Sequence, residues 1–134
     1  MQMLFGMEIS GLSAQQVIDH FWREFEADAE GRAYADEAVC GVEAQLERVD
    51  QLIRIASTNW RLERMARVDR NLLRLAAWEL LCRPDVPRAV ILDEAVELAK
   101  RFGSEDSSAF VNGVLDRIAE ECGRVDIDRP MSSK

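Results

Sequence analysis

Residues 68–119 read VDRNLLRLAAWELLCRPDVPRAVILDEAVELAKRFGSEDSSAFVNGVLDRIA, and this stretch decides the fold. Its punctuation marks three helices. Asp69 stands just before an apolar run, where a carboxylate can accept the unpaired N–H groups of a first turn. Leu72, Leu73, Leu75, Ala76, Leu80 and Leu81 then recur at helical spacing. Pro84 cannot continue the helix, which predicts a stop near Cys82 or Arg83. Pro87 suits the first turn of the next helix, because its missing N–H would be unpaired there in any case. Ile91, Ala95, Leu98 and Phe102 make one apolar stripe, and Gly103 follows as a left-handed C-cap. Ser104 is placed to cap the third helix, with Glu105 and Asp106 at the positive end of its dipole. Phe110, Val111, Val114, Leu115 and Ile118 form the buried face of that helix.

The chain outward from this stretch keeps the same period. At 134 residues, 48% of them apolar, it is one domain able to bury a core. No apolar run approaches the roughly 20 residues of a membrane span, and the start lacks the basic-then-apolar layout of a signal peptide. Met1 to Glu8 reads as the end of a helix, with Met3, Leu4 and Met7 on its apolar side, and Gly11 sits in a turn. Ser13 and Gln16 form a capping box for a second helix carrying Val17, Ile18, Phe21, Trp22 and Phe25. Glu24, Glu26, Asp28 and Glu30 read as its solvated acidic end, and Gly31 as its break. A third helix is expected from Ala33 to Ala56, buried through Ala38, Val42, Leu46, Val49, Leu52 or Ile53, and Ala56. Gly41 inside it predicts close helix packing. Ser57-Thr58-Asn59 ends it and caps a short turn over Arg61 to Met65. Residues 122–134 are expected to form a frayed tail. The fold expected is all-α, with helices over most of 2–121 and no strand.

Charge is unevenly spread. The net charge is −8, but residues 51–88 carry 8 basic against 4 acidic side chains. Residues 1–50 carry 3 against 11, and residues 89–134 carry 6 against 10. The middle block is therefore the one candidate anion-binding region of any size. In it Arg61, Arg64, Arg67, Arg70 and Arg74 recur every three or four residues. They form either a phosphate-facing rim or a set of solvated arginines partly paired with Glu63 and Asp69. Arg74, set among leucines, has a further reading as a semi-buried arginine that ties helices together. Cys40, Cys82 and Cys122 are odd in number and widely spaced, without a CxxC pair, and His20 is the one histidine. Buried or half-buried free thiols in a reducing cytosol are the expectation, with no metal site and no cofactor. A Gly-rich phosphate loop, HExxH and GxSxG are all missing, so nothing in the sequence points to an enzyme.

The wording of the central stretch is more specific than its pattern. Arg74-Leu75-Ala76, Glu79-Leu80-Leu81, Asp85-Val86-Pro87, Asp93 through Lys100, Phe102-Gly103, Glu105-Asp106-Ser107 and Phe110 through Asp116 follow one another at a family's spacing. Together they resemble the NusB family of bacterial transcription antitermination factors. The resemblance continues weakly up to Gln2-Met3-Leu4-Phe5. It implies a NusB-like helical bundle over 1–121, built of two packed helical halves, 1–66 and 67–121. It implies binding of single-stranded boxA RNA together with NusE, a small-subunit ribosomal protein, and entry into the RNA polymerase antitermination complex on ribosomal RNA operons. The positions matching the family's RNA side are Asp106, Phe110, Asn112 and Arg74. Those matching its NusE side are Phe5 and Asp69. Phe110 also reads as plain core, and Asn112-Gly113 as a helix-packing device. Ala109 stands where the family often has a basic residue. In the family the segment matching Gln2 to Phe5 is the second half of a longer helix with an arginine-rich, RNA-binding first half. The chain starts after that half, which implies weak RNA binding by this form and an apolar surface that favours self-association. Two other readings remain open: a protein-only adapter that keeps NusE but not RNA, and an RNA-binding domain of the kind fused to rRNA methyltransferases.

Overall fold

The computed structural model describes residues 2–11, 13–18, 29–58 and 61–124, without the side chains of Phe5, Ile9 and Ser10. Phe21, Trp22, Phe25, His20, the acidic residues Glu24, Glu26 and Asp28, Asn59 and the tail 125–134 lie outside the described residues. Six α-helices are described: α1 (Gln2–Ser10), α2 (Ala29–Ala44), α3 (Leu46–Ala56), α4 (Arg67–Cys82), α5 (Arg88–Phe102) and α6 (Ser107–Glu121). A 3-10 turn, Leu62–Arg64, joins α3 to α4, and no strand occurs among the described residues. Residues 14–18 are also helical. The Ser13 amide donates to Gln16 Oε1 at 3.0 Å and the Gln16 amide to Ser13 Oγ at 3.3 Å, the reciprocal pair of a capping box.

Helix α4 is the axis of the molecule and packs against all five other α-helices. Its faces explain this. Leu72, Leu73, Ala76, Ala77, Trp78 and Leu80 are all buried, so apolar side chains leave the helix in several directions. Helices α5 and α6 pack against α4 and against each other, and α3 reaches both α4 and α6. Val49, Ile53, Leu73, Leu115 and Ile118 are fully buried where these helices meet. On the other side, α2 lies against α4 because Gly41 has no side chain. A Cβ there would stand 2.3–2.6 Å from the indole of Trp78, closer than atoms can pack.

Several local expectations change. The predicted single helix over 33–56 starts earlier, at Ala29, and kinks at Gln45 (φ −109°, ψ 20°). Hydrogen bonds continue across the kink, from Gln45 N to Gly41 O and from Val49 N to Gln45 O. Gly31 lies inside α2 rather than ending a helix. A helical glycine costs only about 1 kcal/mol relative to Ala, which packing elsewhere in the helix offsets. Pro84 does end α4 at Cys82, while Pro87 is the N-cap of α5 rather than its first residue. Gly103 is not left-handed, at φ −98°. It is required because Ser107 closes on it, with Oγ 2.4 Å from where a Cβ would be. The left-handed closing glycines are Gly11 (φ 73°), after α1, and Gly123 (φ 67°), after α6. Phe102 is 48% exposed, one turn past the packed part of α5, and Ala99 takes the buried place. Cys40 is exposed and Cys82 and Cys122 half-buried, so no free thiol is fully buried.

Candidate binding surface

The basic block divides into two parts with different fates. Arg67, Arg70 and Arg74 lie on one side of α4 and converge on Glu8 of α1. Arg70 Nε donates to Glu8 Oε2 at 2.6 Å, Arg74 Nη1 to the same oxygen at 3.2 Å, and Arg67 Nε stands 3.7 Å from Oε1. Arg74 also grips Asp50 of α3 with both arms of its fork, at 2.9 and 3.0 Å. Arg70 Nη1 donates to the Leu62 and Met65 carbonyls at 3.1 and 3.0 Å. This junction fastens α1, α3 and the 3-10 turn to α4. Burial alone would raise the Glu8 carboxyl, but the hydrogen bond and charge of Arg70, aided by Arg74 and Arg67, hold it below its ordinary value. Arg61 and Arg64 stay outside this junction and are exposed, as Arg67 is at its edge. The pairings imagined from sequence are not the ones made: Glu63 pairs with Arg54 at 3.4 Å, and Asp69 has no ion pair among the described residues.

Asp69 belongs to a second place. It is not the N-cap of α4, because that helix already starts at Arg67. It sits in the first turn, buried to 9% exposure, with Oδ1 sealed from water and without a hydrogen-bond partner. It lines a pocket of about 260 Å³ between the start of α4 and the start of α6. The other walls are Arg64, Met65, Ala66, Ser104, Asp106, Ser107 and Phe110. The α6 side is held by Ser107, whose Oγ accepts the Ser104 amide at 2.9 Å. The expected capping direction is thus reversed: Ser107 reaches back to Ser104, and Asp106 is the N-cap residue without a side-chain cap bond.

Phe110 is half-buried, and its ring also borders a second hollow of about 190 Å³. That hollow is lined by Ser57, Thr58, Ala109, Gly113, Val114 and Arg117. Asn112 is exposed on α6. Gly113 packs against nothing within 4 Å of a Cβ position, so the pair Asn112-Gly113 is not a helix-packing device. The structure therefore brings Asp69, Asp106 and Phe110 together. Arg74 is not among the residues that line either hollow, and its donors are engaged at the Glu8 and Asp50 junction. Phe5 lies in α1, which packs on α4, with its side chain outside the described set.

A third polar cluster escaped the sequence reading, because its members lie far apart in the chain. The Tyr34 hydroxyl donates to Glu79, and Arg83 stacks 5.0 Å over the Tyr34 ring while holding Asp85 and Glu37. Burial pushes the Glu79 carboxyl up, and it also pushes up the Tyr34 hydroxyl.

Comparison with known proteins adds the class. Residues 1–120 match the NusB family. The chain is 72% identical over 129 residues to the transcription antitermination protein NusB of Sorangium cellulosum, covering 96% of this chain and 92% of that one. It is 46% identical to the Myxococcus xanthus protein of the same name, covering 89% and 88%. Among solved structures, T. maritima NusB superposes with a TM-score of 0.82 at 39% identity, over 90% of this chain and 84% of that one. A complex of antitermination factors NusB and NusE with dsRNA shares the fold, with a TM-score of 0.78 at 23% identity, over 89% of each chain. The all-α fold is thus that of a transcription antitermination protein, not of an enzyme. The chain belongs to the NusB family.

Proposed function

We propose that this chain acts in the cytoplasm by binding a boxA single-stranded RNA element together with NusE, and that the pair joins the RNA polymerase antitermination complex on ribosomal RNA operons. Phe110 carries the reading. Its half-buried ring borders two hollows, one lined by Asp69 and Asp106 and the other by Ser57, Thr58 and Arg117. Single-stranded RNA is read by stacking on such rings and by hydrogen bonds to exposed base edges. Asp106 and the exposed Asn112 supply groups for those edges, and Phe5 and Asp69 face NusE. Arg74 serves the RNA surface through the position of α4, since its guanidinium is committed to Asp50 and Glu8. The neighbouring complex of NusB and NusE with RNA supports the pairing of partners.

The test is RNA binding by fluorescence anisotropy, with a boxA oligonucleotide and saturating NusE, beside co-purification of NusE itself. Binding of both by the wild-type chain, with loss of NusE in Phe5→Asp and loss of RNA affinity in Phe110→Ala, is the expected result. Binding of NusE without RNA would leave a protein-only adapter, and binding of neither would overturn the reading.

A further inference from the structure

We infer that Cys82 and Cys122 form a redox-responsive lock, in which oxidation joins the two thiols and ties the end of α4 to the end of α6. The inference stands apart from the RNA and NusE reading above.

Position brings the pair together. Cys82 is the last residue of α4, and Cys122 is the C-cap of α6. The two helices pack against each other, and their ends are pinned side by side. Arg124, two residues beyond Cys122, donates to the carbonyls of Leu80 at 2.9 Å and Arg83 at 3.2 Å, which stand on either side of Cys82 in the chain. The Arg124 amide donates to the Ala119 carbonyl at 2.9 Å, which folds residues 122–124 back over the last turn of α6. Both thiols are free and half-buried, and both pack against the same core. They also sense each other. Burial raises the Cys122 thiol, Arg48 and Arg124 draw it down, and Glu121 and Cys82 push it up again. Cys40 shares none of this, being exposed and inside α2.

A half-buried cysteine by itself behaves as a small apolar side chain, whereas two at adjoining helix ends can be joined. A disulfide needs its Cα atoms about 4.4–6.8 Å apart. Residues at helix ends adjust to that more readily than residues in mid-helix, because helix ends fray. The oxidant is a small disulfide of the glutathione class. One thiolate attacks a sulfur of that disulfide and expels a thiolate, which takes up a proton. The other cysteine then attacks the protein sulfur of the mixed disulfide and expels the second half of the oxidant. The two cysteines lose two electrons and two protons, and the oxidant leaves as two thiols. Reducing conditions keep the pair open, and accumulation of the oxidised disulfide closes it. The bond closes a loop over residues 82–122 that holds all of α5 and α6. It thereby restricts the unfolded chain and favours the folded one.

The whole chain is incubated with glutathione disulfide, its remaining thiols are blocked with N-ethylmaleimide, and it is digested with trypsin. Each cysteine then lies in its own peptide, 33–48, 75–88 and 118–124. The expected product is 75–88 joined to 118–124, at the intact mass of a single chain, with glutathione or maleimide on Cys40. The thermal midpoint of the oxidised chain should rise by about 5 °C or more, and a thiol reductant should reverse the rise. Cys82→Ser and Cys122→Ser should each lose both the linkage and the rise. Glutathione or maleimide on both Cys82 and Cys122 would make them ordinary half-buried thiols and overturn the inference. Linkage that runs through Cys40, or that forms only between two chains, would do the same. A linked pair with an unchanged or lowered midpoint would mean that the bond strains the fold instead of locking it, and would also overturn the inference.

Discussion

The Glu8 junction and the Asp69 pocket lie on the same helix and treat charge in opposite ways. At the junction two carboxylates meet three guanidiniums, and Arg70 and Arg74 hydrogen-bond to them and to the carbonyls of Leu62 and Met65. At the pocket two carboxylates and a nearby arginine remain apart. The first arrangement ties helices together, and the second leaves Asp69 without an ion pair among the described residues. The lesson concerns how arginines are read. A helical run of them near a predicted break suggests phosphate contacts, yet Arg70 and Arg74 serve as struts, and the pocket next to them carries two carboxylates.

The sharpest way to break the comparison is to damage the junction. Asp50→Ala leaves Arg74 half-buried against Glu8 alone. It should destabilise the chain by about 3 kcal/mol, the usual result of orphaning one partner of a buried pair. Urea unfolding measures it, and a loss near that of an exposed pair, below ~1 kcal/mol, would mean the junction is not structural. Damage of another kind reaches the pocket wall. Gly103→Ala would set a methyl 2.4 Å from Ser107 Oγ and 2.8 Å from the Ala99 carbonyl. It should cost about 2 kcal/mol by overpacking, seen as a lowered thermal midpoint, and should disturb the Ser104–Ser107 hydrogen bond. Phe110→Ala should weaken RNA binding by about 1.5 kcal/mol through lost stacking, while the slope of log affinity against log salt stays unchanged because no phosphate contact is removed.

The smallest expected effect separates Glu8 from Glu79 by pH. Glu8 is held below its ordinary value of 4.5, so its contribution is fully present above that pH and is lost as pH falls through the lower folded value. Glu79 is raised by burial, so the folded chain holds its proton more tightly than the unfolded one. Its effect has the opposite sign, with stability declining as pH rises from 4.5 through the folded value. Glu8→Gln should therefore flatten the acid limb of a stability profile, and Glu79→Gln should flatten the limb above it.

Local signals were legible in the sequence. The capping box at Ser13 and Gln16, the stop at Pro84 and the close approach at Gly41 each depend on a few neighbouring residues or on one bare Cα. The all-α fold follows from periodicity, and its particular family from the wording of residues 74–116. What escaped depends on partners distant in sequence. Arg74 finds Asp50 from 24 residues away and Glu8 from 66, so spacing alone could not choose between strut and phosphate ligand. Asp69 looked like a cap because an apolar run follows it, whereas the helix starts two residues earlier, at Arg67. Gly31 and the kink at Gln45 were misjudged for a related reason, since a continuous hydrogen-bond ladder can carry a helix through a weak residue.

Arg124, the last residue described, clasps the far end of α4. Its guanidinium donates to the carbonyls of Leu80 at 2.9 Å and Arg83 at 3.2 Å and also reaches those of Glu79 and Val86. Gly123 turns the backbone left-handed so that this side chain can return. The Leu80 carbonyl would otherwise be an unsatisfied acceptor, because Pro84, four residues on, has no N–H, whereas the Glu79 and Arg83 carbonyls also take the amides of Arg83 and Val86. During translation, which releases about 5–20 residues each second, α4 is finished some forty codons before its clasp exists. The nascent chain must therefore carry this helix end without its side-chain clasp until Arg124 leaves the ribosome.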